Sequence, residues 1–361
     1  MNMFPINLTR PSVSQAIVTP VVVSSEHSNL SESLQCIKNI PQTENVSAKV
    51  KPTLKKRLEL KLNFAVLAQQ SAFDKLQVQT TKIINEKGIE YDTQKRGQLY
   101  PEIGAAKQTQ VSIRNKDWER VLLSANRLAV NDMDLAIRCQ YPRNNTQAIE
   151  NHLTMLIDNR VPLLVVLSSN NEIKPFLGRE KSLPSYFINS KKYGEIKVKS
   201  LRIRADYQVD RNHHSKSQPP LKFNQYNLEI NDRGRKHHFP VIHITNWGDG
   251  NTISTGELKK LSRMVNVLTH GSLIKLKKYH NVEIDGKNKP LPVIHCKAGI
   301  GRTGVLAAAM QLTKKDNTLS VDDVVTALRT SGNANMVQTE AQYNTLLELQ
   351  QFIQATRKMS S

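Results

Sequence analysis

Three features of this sequence predict an α/β fold. The run Val161-Pro162-Leu163-Leu164-Val165-Val166-Leu167 is continuously apolar and reads as a strand buried on both faces of a sheet. From Gly194 to Asn246 the apolar residues take period two, as Ile196, Val198, Leu201 and Ile203, then Tyr226, Leu228 and Ile230, then Phe239, Val241, Ile242 and Ile244, which reads as a meander of antiparallel strands. At Val293-Ile294 a β-branched run leads into a glycine-bearing loop that opens onto an apolar helical pattern, a strand–loop–helix unit. With 361 residues, 39% of them apolar, the chain can build one large α/β domain plus an appendage, or two modest domains.

Composition bounds the partners. A formal charge of +20 attracts phosphopeptides, anionic lipid headgroups or nucleic acid. Nucleic-acid binding calls for stacking aromatics beside the charge, or a known binding motif. Aromatics are only 5% of the chain, so no nucleic-acid partner is expected. No apolar run approaches the roughly 20 residues of a membrane helix, and the N-terminus lacks the charged start and apolar core of a Sec signal. Cys36, Cys139 and Cys296 are odd in number and far apart, without a disulfide framework or zinc spacing, so a reducing compartment is expected.

Along the chain, residues 1–55 read as a disordered leader: the first 50 are rich in Ser, Asn, Thr, Val and Pro, with few charges and no sustained period. Residues 51–62 are basic with alternating leucines; edge strand, chaperone-binding stretch and membrane-surface segment all fit. Leu67, Phe73, Leu76 and Ile83 are compatible with a helix from Asn63 to Asn85. Ile149, Leu153, Leu156 and Ile157 share one face of a helix expected over Gln147–Asn159. The buried strand exits into Ser168-Ser169-Asn170-Asn171-Glu172, and strand exits on one edge of an α/β sheet are where ligands bind. His213 and His214 lie in the polar connection Asp210–Pro220, without carboxylates at fixed spacing, and no metal is expected there. Ser254-Thr255-Gly256-Glu257 is a capping box that opens a helix with Leu258, Leu261, Val265 and Leu268. The basic segment Lys275–His280 reads as a solvated face, with an anionic-lipid contact as the alternative. Further helices are expected over Val305–Leu312, Ser320–Leu328 and Glu340–Thr356.

The chemistry concentrates in His295-Cys296-Lys297-Ala298-Gly299-Ile300-Gly301-Arg302-Thr303-Gly304. Strand, phosphate-sized loop and helix N-terminus make an anion cradle of inward N–H groups. Such a field favours a thiolate, the nucleophilic form of cysteine. Cys296 and Arg302 therefore read as nucleophile and phosphate clamp. The alternative is a tight strand-to-helix turn with a buried Cys and a surface Arg.

This loop resembles the signature of the cysteine-based protein tyrosine phosphatases, and the sequence around it resembles the branch secreted by bacterial type III systems. The resemblance spans about residues 95–355, with Cys139-Gln140-Tyr141-Pro142 and Met336–Gln342 its other specific parts. It implies the tyrosine phosphatase fold, a central twisted mixed β-sheet flanked by helices, over 60–361, with a secretion signal or chaperone-binding region in the leader. Cys296 would attack phosphorus, while Arg302 and the amides of Lys297, Ala298, Gly299, Ile300 and Gly301 hold the charge. Thr303 would hydrogen-bond the thiolate, and His295 would either tune the loop or serve as a satisfied structural histidine. Thr245-Asn246-Trp247-Gly248-Asp249-Gly250 resembles the mobile general-acid loop, which makes Asp249 the proton donor and Trp247 the hinge anchor beside the substrate. The family carries Pro where this chain has Gly248, so a looser loop is expected.

By the same resemblance Glu172 would pair with Arg302, and Tyr100 would pack on the phosphotyrosine ring; a solvated loop carboxylate and a packing tyrosine are the plainer readings. Gln338 and Gln342 would hold the hydrolytic water, although Thr339-x-x-Gln342 is also a capping box that explains Gln342 locally. No metal or organic cofactor is implied. The implied substrates are phosphotyrosine-containing host proteins, met in the host cytoplasm. Two alternatives stay open: a phosphoinositide phosphatase, against which the apolar Ile300 argues, and a non-catalytic phosphotyrosine-binding protein.

Overall fold

Four parallel strands decide where the loops meet. The computed structural model describes residues 71–93, 98–115, 117–173, 183–211, 219–284 and 289–358. The leader, the basic segment 51–62, the boundary near residue 60 and the histidines 213 and 214 lie outside the described residues. After α1 (Ala72–Glu86) and a short antiparallel pair, β1 (Tyr91–Asp92) and β2 (Ala105–Ala106), come β3 (Gln110–Arg114), β4 (Arg120–Val130) and β5 (Met133–Cys139). Then follow α2 (Thr146–Asp158), β6 (Leu164–Val166), α3 (Asn170–Ile173), β7 (Lys191–Tyr193), β8 (Ile196–Gln208), β9 (Lys222–Asp232) and β10 (Arg235–Ile244). The chain continues through α4 (Thr255–His280), β11 (Val293–His295), α5 (Gly301–Leu312), α6 (Val321–Ser331) and α7 (Glu340–Lys358).

Among the described residues, nine strands form one mixed sheet in the order β3-β4-β5-β11-β6-β10-β9-β8-β7. Strands β5, β11, β6 and β10 run parallel, with Cys139, His295, Val166 and His243 in one row across them. All four strands therefore leave the sheet at the same edge, at that row or one residue beyond it. Flanking strands on both sides pair antiparallel.

The sheet separates two cores. Val165, Ile242 and Ile294 face one core, with Leu258, Leu261 and Val265 of α4 and the apolar faces of α5, α6 and α7. Leu164, Val166, Val241 and Val293 face the other, with Ile149, Leu153 and Leu156 of α2. This two-sided burial is why the central strands read as continuous apolar runs. Helix starts follow their caps: Asn145 for α2, Ser254 for α4, and Ser320 with Asp323 in a reciprocal box for α6.

Several expectations need correction. Leu201 and Ile203 are 65% and 44% exposed. The buried residues at the start of β8 are even-numbered, Ile196 and Val198, so odd-numbered side chains point to the opposite face. Lys275–His280 is, as expected, an exposed face, the end of α4, where cations complement the helix dipole. Of the helix expected over Asn63–Asn85, residues 63–70 lie outside the described residues, and α1 begins at Ala72, capped by Ser71. Strands β3, β4 and β5 were not expected at all.

Candidate active site

The loops that leave the four parallel strands converge. Strand β11 ends at His295, and Cys296 opens a loop that closes at Arg302 in the first turn of α5. Cys296 is 2% exposed, and its Sγ accepts a hydrogen bond from the Gly299 N–H at 3.3 Å. Gly299 has φ +75°, and a Cβ there would lie 2.2 Å from the carbonyl oxygen of Cys139. Only glycine fits that approach. The Tyr141 N–H donates to the Lys297 carbonyl at 3.0 Å, so the β5 exit braces the loop. No side chain caps α5; its N-terminal amides face the loop unmasked.

Arg302 is fully buried, and its guanidinium collects the other loops. Nη1 donates to Glu172 Oε2 at 2.7 Å and Nη2 to Glu172 Oε1 at 2.8 Å, a bidentate pair. Nη1 also reaches the carbonyls of Leu167 (2.9 Å) and Trp247 (2.8 Å), and Nη2 reaches Asp249 Oδ1 at 2.9 Å. Nε has no acceptor among the described residues. Burial works against the arginine's charge, but Glu172, Cys296 and Asp249 outweigh it and hold its pKa above the ordinary value. Burial likewise pushes the Glu172 carboxyl up, yet Arg302 and both donors of Ser169 leave it below its usual range.

The loop after β10 contributes through its backbone and one carboxylate. The Trp247 ring is buried at 1% exposure, and its Nε1–H donates to the Asn251 carbonyl at 2.8 Å. Asp249 is 61% exposed, and Gly250 turns the chain at φ +73°.

On the opposite rim, Lys297 Nζ lies 5.8 Å from the centroid of the half-buried Tyr100 ring. The lysine's pKa is raised chiefly by Tyr100, against burial. Gln140 fixes the Tyr100 backbone by accepting its N–H and donating to its carbonyl, both at 2.9 Å. The side chains of Gln338 and Gln342 both come within 3.4 Å of the position a Cβ on Gly301 would occupy. Gln342 Oε1 accepts the Gln338 N–H at 2.9 Å, while the Gln342 N–H donates to the Thr339 hydroxyl at 3.2 Å. Thr339 is thus the cap, and the Gln342 side chain serves Gln338 rather than closing a capping box.

Beneath the loop runs a buried polar chain. Because the Cys296 carbonyl only accepts, His295 Nδ1 donates to it, at 3.2 Å. The neutral ring therefore accepts at Nε2 from the Tyr186 hydroxyl, at 2.7 Å, and His152 Nε2 donates to Tyr186 at 3.0 Å. Tyr141 packs edge-on against His295. Burial depresses the His295 pKa to about 4 and that of His152 well below its ordinary value. His243, bonded through Nε2 to the Ser168 carbonyl at 2.8 Å, is also pushed down to about 4 by burial.

The structure thus brings Cys296, Arg302, Glu172, Asp249, Lys297, Tyr100, Gln338 and Gln342 around one loop. Three expectations are corrected. Thr303 does not hydrogen-bond Cys296: its hydroxyl is buried with no partner among the described residues, and the sulfur takes the Gly299 amide instead. Trp247, expected beside the substrate, keeps its ring in the core as the hinge anchor and meets the site through its carbonyl. Ile300 is 2% exposed and packs into that same core, so its apolar character is required by packing whatever the ligand. Gln140, Tyr186 and His152 were missed as site residues. The Cys139–Pro142 segment was singled out without a role, whereas nothing in the sequence linked His152 or Tyr186 to His295. Among the described residues no group of three or more His, Cys, Asp or Glu side chains could hold a metal ion.

Residues 94–351 match the family model described as protein-tyrosine phosphatase. Tyrosine-protein phosphatase YopH of Yersinia pseudotuberculosis is 33% identical over 232 residues, 64% of this chain and 46% of that protein. Secreted effector protein SptP of Salmonella paratyphi A is 29% identical over 259 residues, 69% of this chain and 43% of that protein. The chain spans about half the length of the curated relatives it matches. Among solved structures, the catalytic domain of human protein tyrosine phosphatase non-receptor type 18 superposes with a TM-score of 0.59 at 17% identity, covering 81% of this chain and 98% of that one.

Proposed function

The chain belongs to the protein-tyrosine phosphatase family, and from that premise we propose that it hydrolyses phosphotyrosine in proteins through a cysteinyl-phosphate intermediate. The observation that carries the proposal is the state of Arg302. Glu172 holds the guanidinium by both terminal nitrogens, and Nε–H stays buried without an acceptor among the described residues. An unmade buried donor costs about 1–3 kcal/mol, which a phosphoryl oxygen in the cradle would recover.

In this mechanism the Cys296 thiolate attacks phosphorus and the bond to the tyrosyl oxygen breaks. Asp249 gives that oxygen its proton. Arg302 and the loop amides hold the charge on the phosphoryl oxygens. A phosphate dianion in the loop competes with Asp249 for Arg302 Nη2, freeing the carboxyl group for the leaving oxygen. Asp249 then takes a proton from water placed by Gln338 and Gln342; the water oxygen bonds phosphorus, the S–P bond breaks, and phosphate leaves. The pairing of Tyr100 with Lys297 offers the substrate ring an aromatic face beside a cation.

Phosphotyrosine-containing host proteins are the proposed substrates, with a catalytic unit running from about residue 60 to 361. Delivery into the host cytoplasm by a type III system, with a signal in residues 1–55 and a chaperone partner nearby, extends from the relatives. Fusion of residues 1–55 to a reporter, followed by assay of host-cell translocation, tests the delivery. For the chemistry, turnover of a phosphotyrosyl peptide is compared with that of a phosphoseryl peptide and of soluble inositol phosphates. Preference for the first, abolished by Cys296→Ser, is expected. Faster turnover of inositol phosphates contradicts the substrate class, and phosphopeptide binding without turnover contradicts catalysis.

A further inference from the structure

Away from the catalytic loop, a cleft of about 150 Å³ opens between α4, the turn after α5 and the last turns of α7. Its lining is Lys259 and Arg263 from α4, Thr313 and Lys315 after α5, and Ile353, Thr356 and Arg357 from α7. Four of these seven residues are cations and none is an acid. Other surface cations, such as Lys107, Lys199, Arg235 and Lys260, sit in ion pairs with carboxylates. The four in the cleft form no ion pair among the described residues.

Two of the cations are held in place by contacts that leave their charge unneutralised. The Arg357 guanidinium donates to the carbonyls of Lys314 (2.6 Å) and Asn317 (3.2 Å). Lys259 Nζ lies over the Phe352 ring, 4.2 Å from its centroid. Burial, and then Arg263 nearby, lower the Lys259 pKa; lysine and arginine stand close enough to repel. Converging unneutralised cations are relieved by an anion. The mixture of guanidinium and ammonium groups suits three terminal oxygens bearing two charges better than a single carboxylate. The volume lies below the roughly 300–1,000 Å³ of pockets that enclose a drug-sized ligand. It admits a phosphate group presented by something larger that stays outside.

We propose that this cleft binds a phosphate monoester carried on a polyphosphorylated ligand, either a soluble inositol phosphate or the headgroup of a phosphoinositide lipid. The site is separate from the catalytic cradle and needs no turnover to operate.

Binding is measured with the full chain by calorimetry against inositol hexakisphosphate. A second arm measures co-sedimentation with phosphatidylcholine vesicles, with and without phosphatidylinositol bisphosphate. Two cleft variants are used, Arg263→Gln/Arg357→Gln and Lys259→Gln/Lys315→Gln, because Arg357 also ties α7 to the turn after α5. The control, Lys197→Gln/Arg202→Gln on β8, removes the same charge elsewhere. Inhibition of p-nitrophenyl phosphate hydrolysis reports ligand in the catalytic loop separately. Both cleft variants are expected to lose on the order of tenfold in affinity for at least one probe, with the control and the hydrolysis of p-nitrophenyl phosphate unchanged. Loss confined to vesicles assigns the headgroup as source; loss confined to the soluble probe assigns the free inositol phosphate. Equal weakening in cleft and control variants, or no binding of either probe, overturns the proposal.

Discussion

The cradle at 296–302 and the lid at 246–251 meet on one arginine, yet they are built in opposite ways. The cradle is wedged from every side. Gly299 abuts the Cys139 carbonyl, Lys297 is tied to Tyr141, and His295 is bonded through Tyr186 to His152. The lid has one buried anchor, the Trp247 ring, and beyond it an exposed Asp249 that reaches Arg302 Nη2. A site that must receive developing charge needs donors fixed beforehand, whereas a proton donor that covers a departing group needs to move. Rigidity on one side of Arg302 and sparse packing on the other follow from that division.

The sharpest way to break the comparison is Gly299→Ala. Left-handed φ and the clash with Cys139 together cost about 2–5 kcal/mol of stability. Displacement of the loop should lower kcat/KM for a phosphotyrosyl peptide more than about a hundredfold; urea unfolding and steady-state kinetics check both. Acid should also act on the cradle side. The folded pKa values of His295 and His243 are near 4, below the ordinary 6.5, so the unfolded chain binds more protons between those values. Stability is fully present above pH 6.5 and is lost as pH falls towards 4. The loss is on the order of 3 kcal/mol per histidine. Thermal melts across that window should show it, and His243→Asn should flatten the slope.

Glu172→Gln removes the charge opposite a buried guanidinium and should cost about 2–3 kcal/mol, with KM for the peptide rising as Arg302 loses its orientation. The smallest effect belongs to the lid. At Gly248 an added Cβ meets only the amide end of Asn251, at 2.8 Å, a side chain that can turn away. Gly248→Pro should leave stability within about 0.5 kcal/mol while changing kcat severalfold. A large loss of Tm would show the lid to be packed like the cradle.

What was legible in the sequence follows the same divide. Val161–Leu167 and Val293–His295 declared themselves because central parallel strands are apolar on both faces, and the cradle was readable because its residues are contiguous. Strands β3–β5 were not. Strand β4 carries Asn126 and Arg127 and β5 carries Arg138, all polar. Arg138 is fully buried, donating to Asn126 Oδ1 at 2.8 Å and to the carbonyls of Gly104 and Gly332. A buried arginine held by distant carbonyls is indistinguishable from a surface one until the chain folds. The link from His152 through Tyr186 to His295 was hidden for the same reason: its members are 109 or more positions from the loop in two of three cases, and only the sheet brings them together. Thr303 and Ile300 misled because a residue next to a reactive group in sequence can point into the core.

The central claim, that the cradle binds while the lid supplies the proton, is tested most directly by one substrate titration of Asp249→Asn with a phosphotyrosyl peptide. A fall in kcat of about a hundredfold or more is expected, with KM no higher than that of the parent enzyme. An unchanged kcat, or a KM that rises while kcat holds, would contradict it.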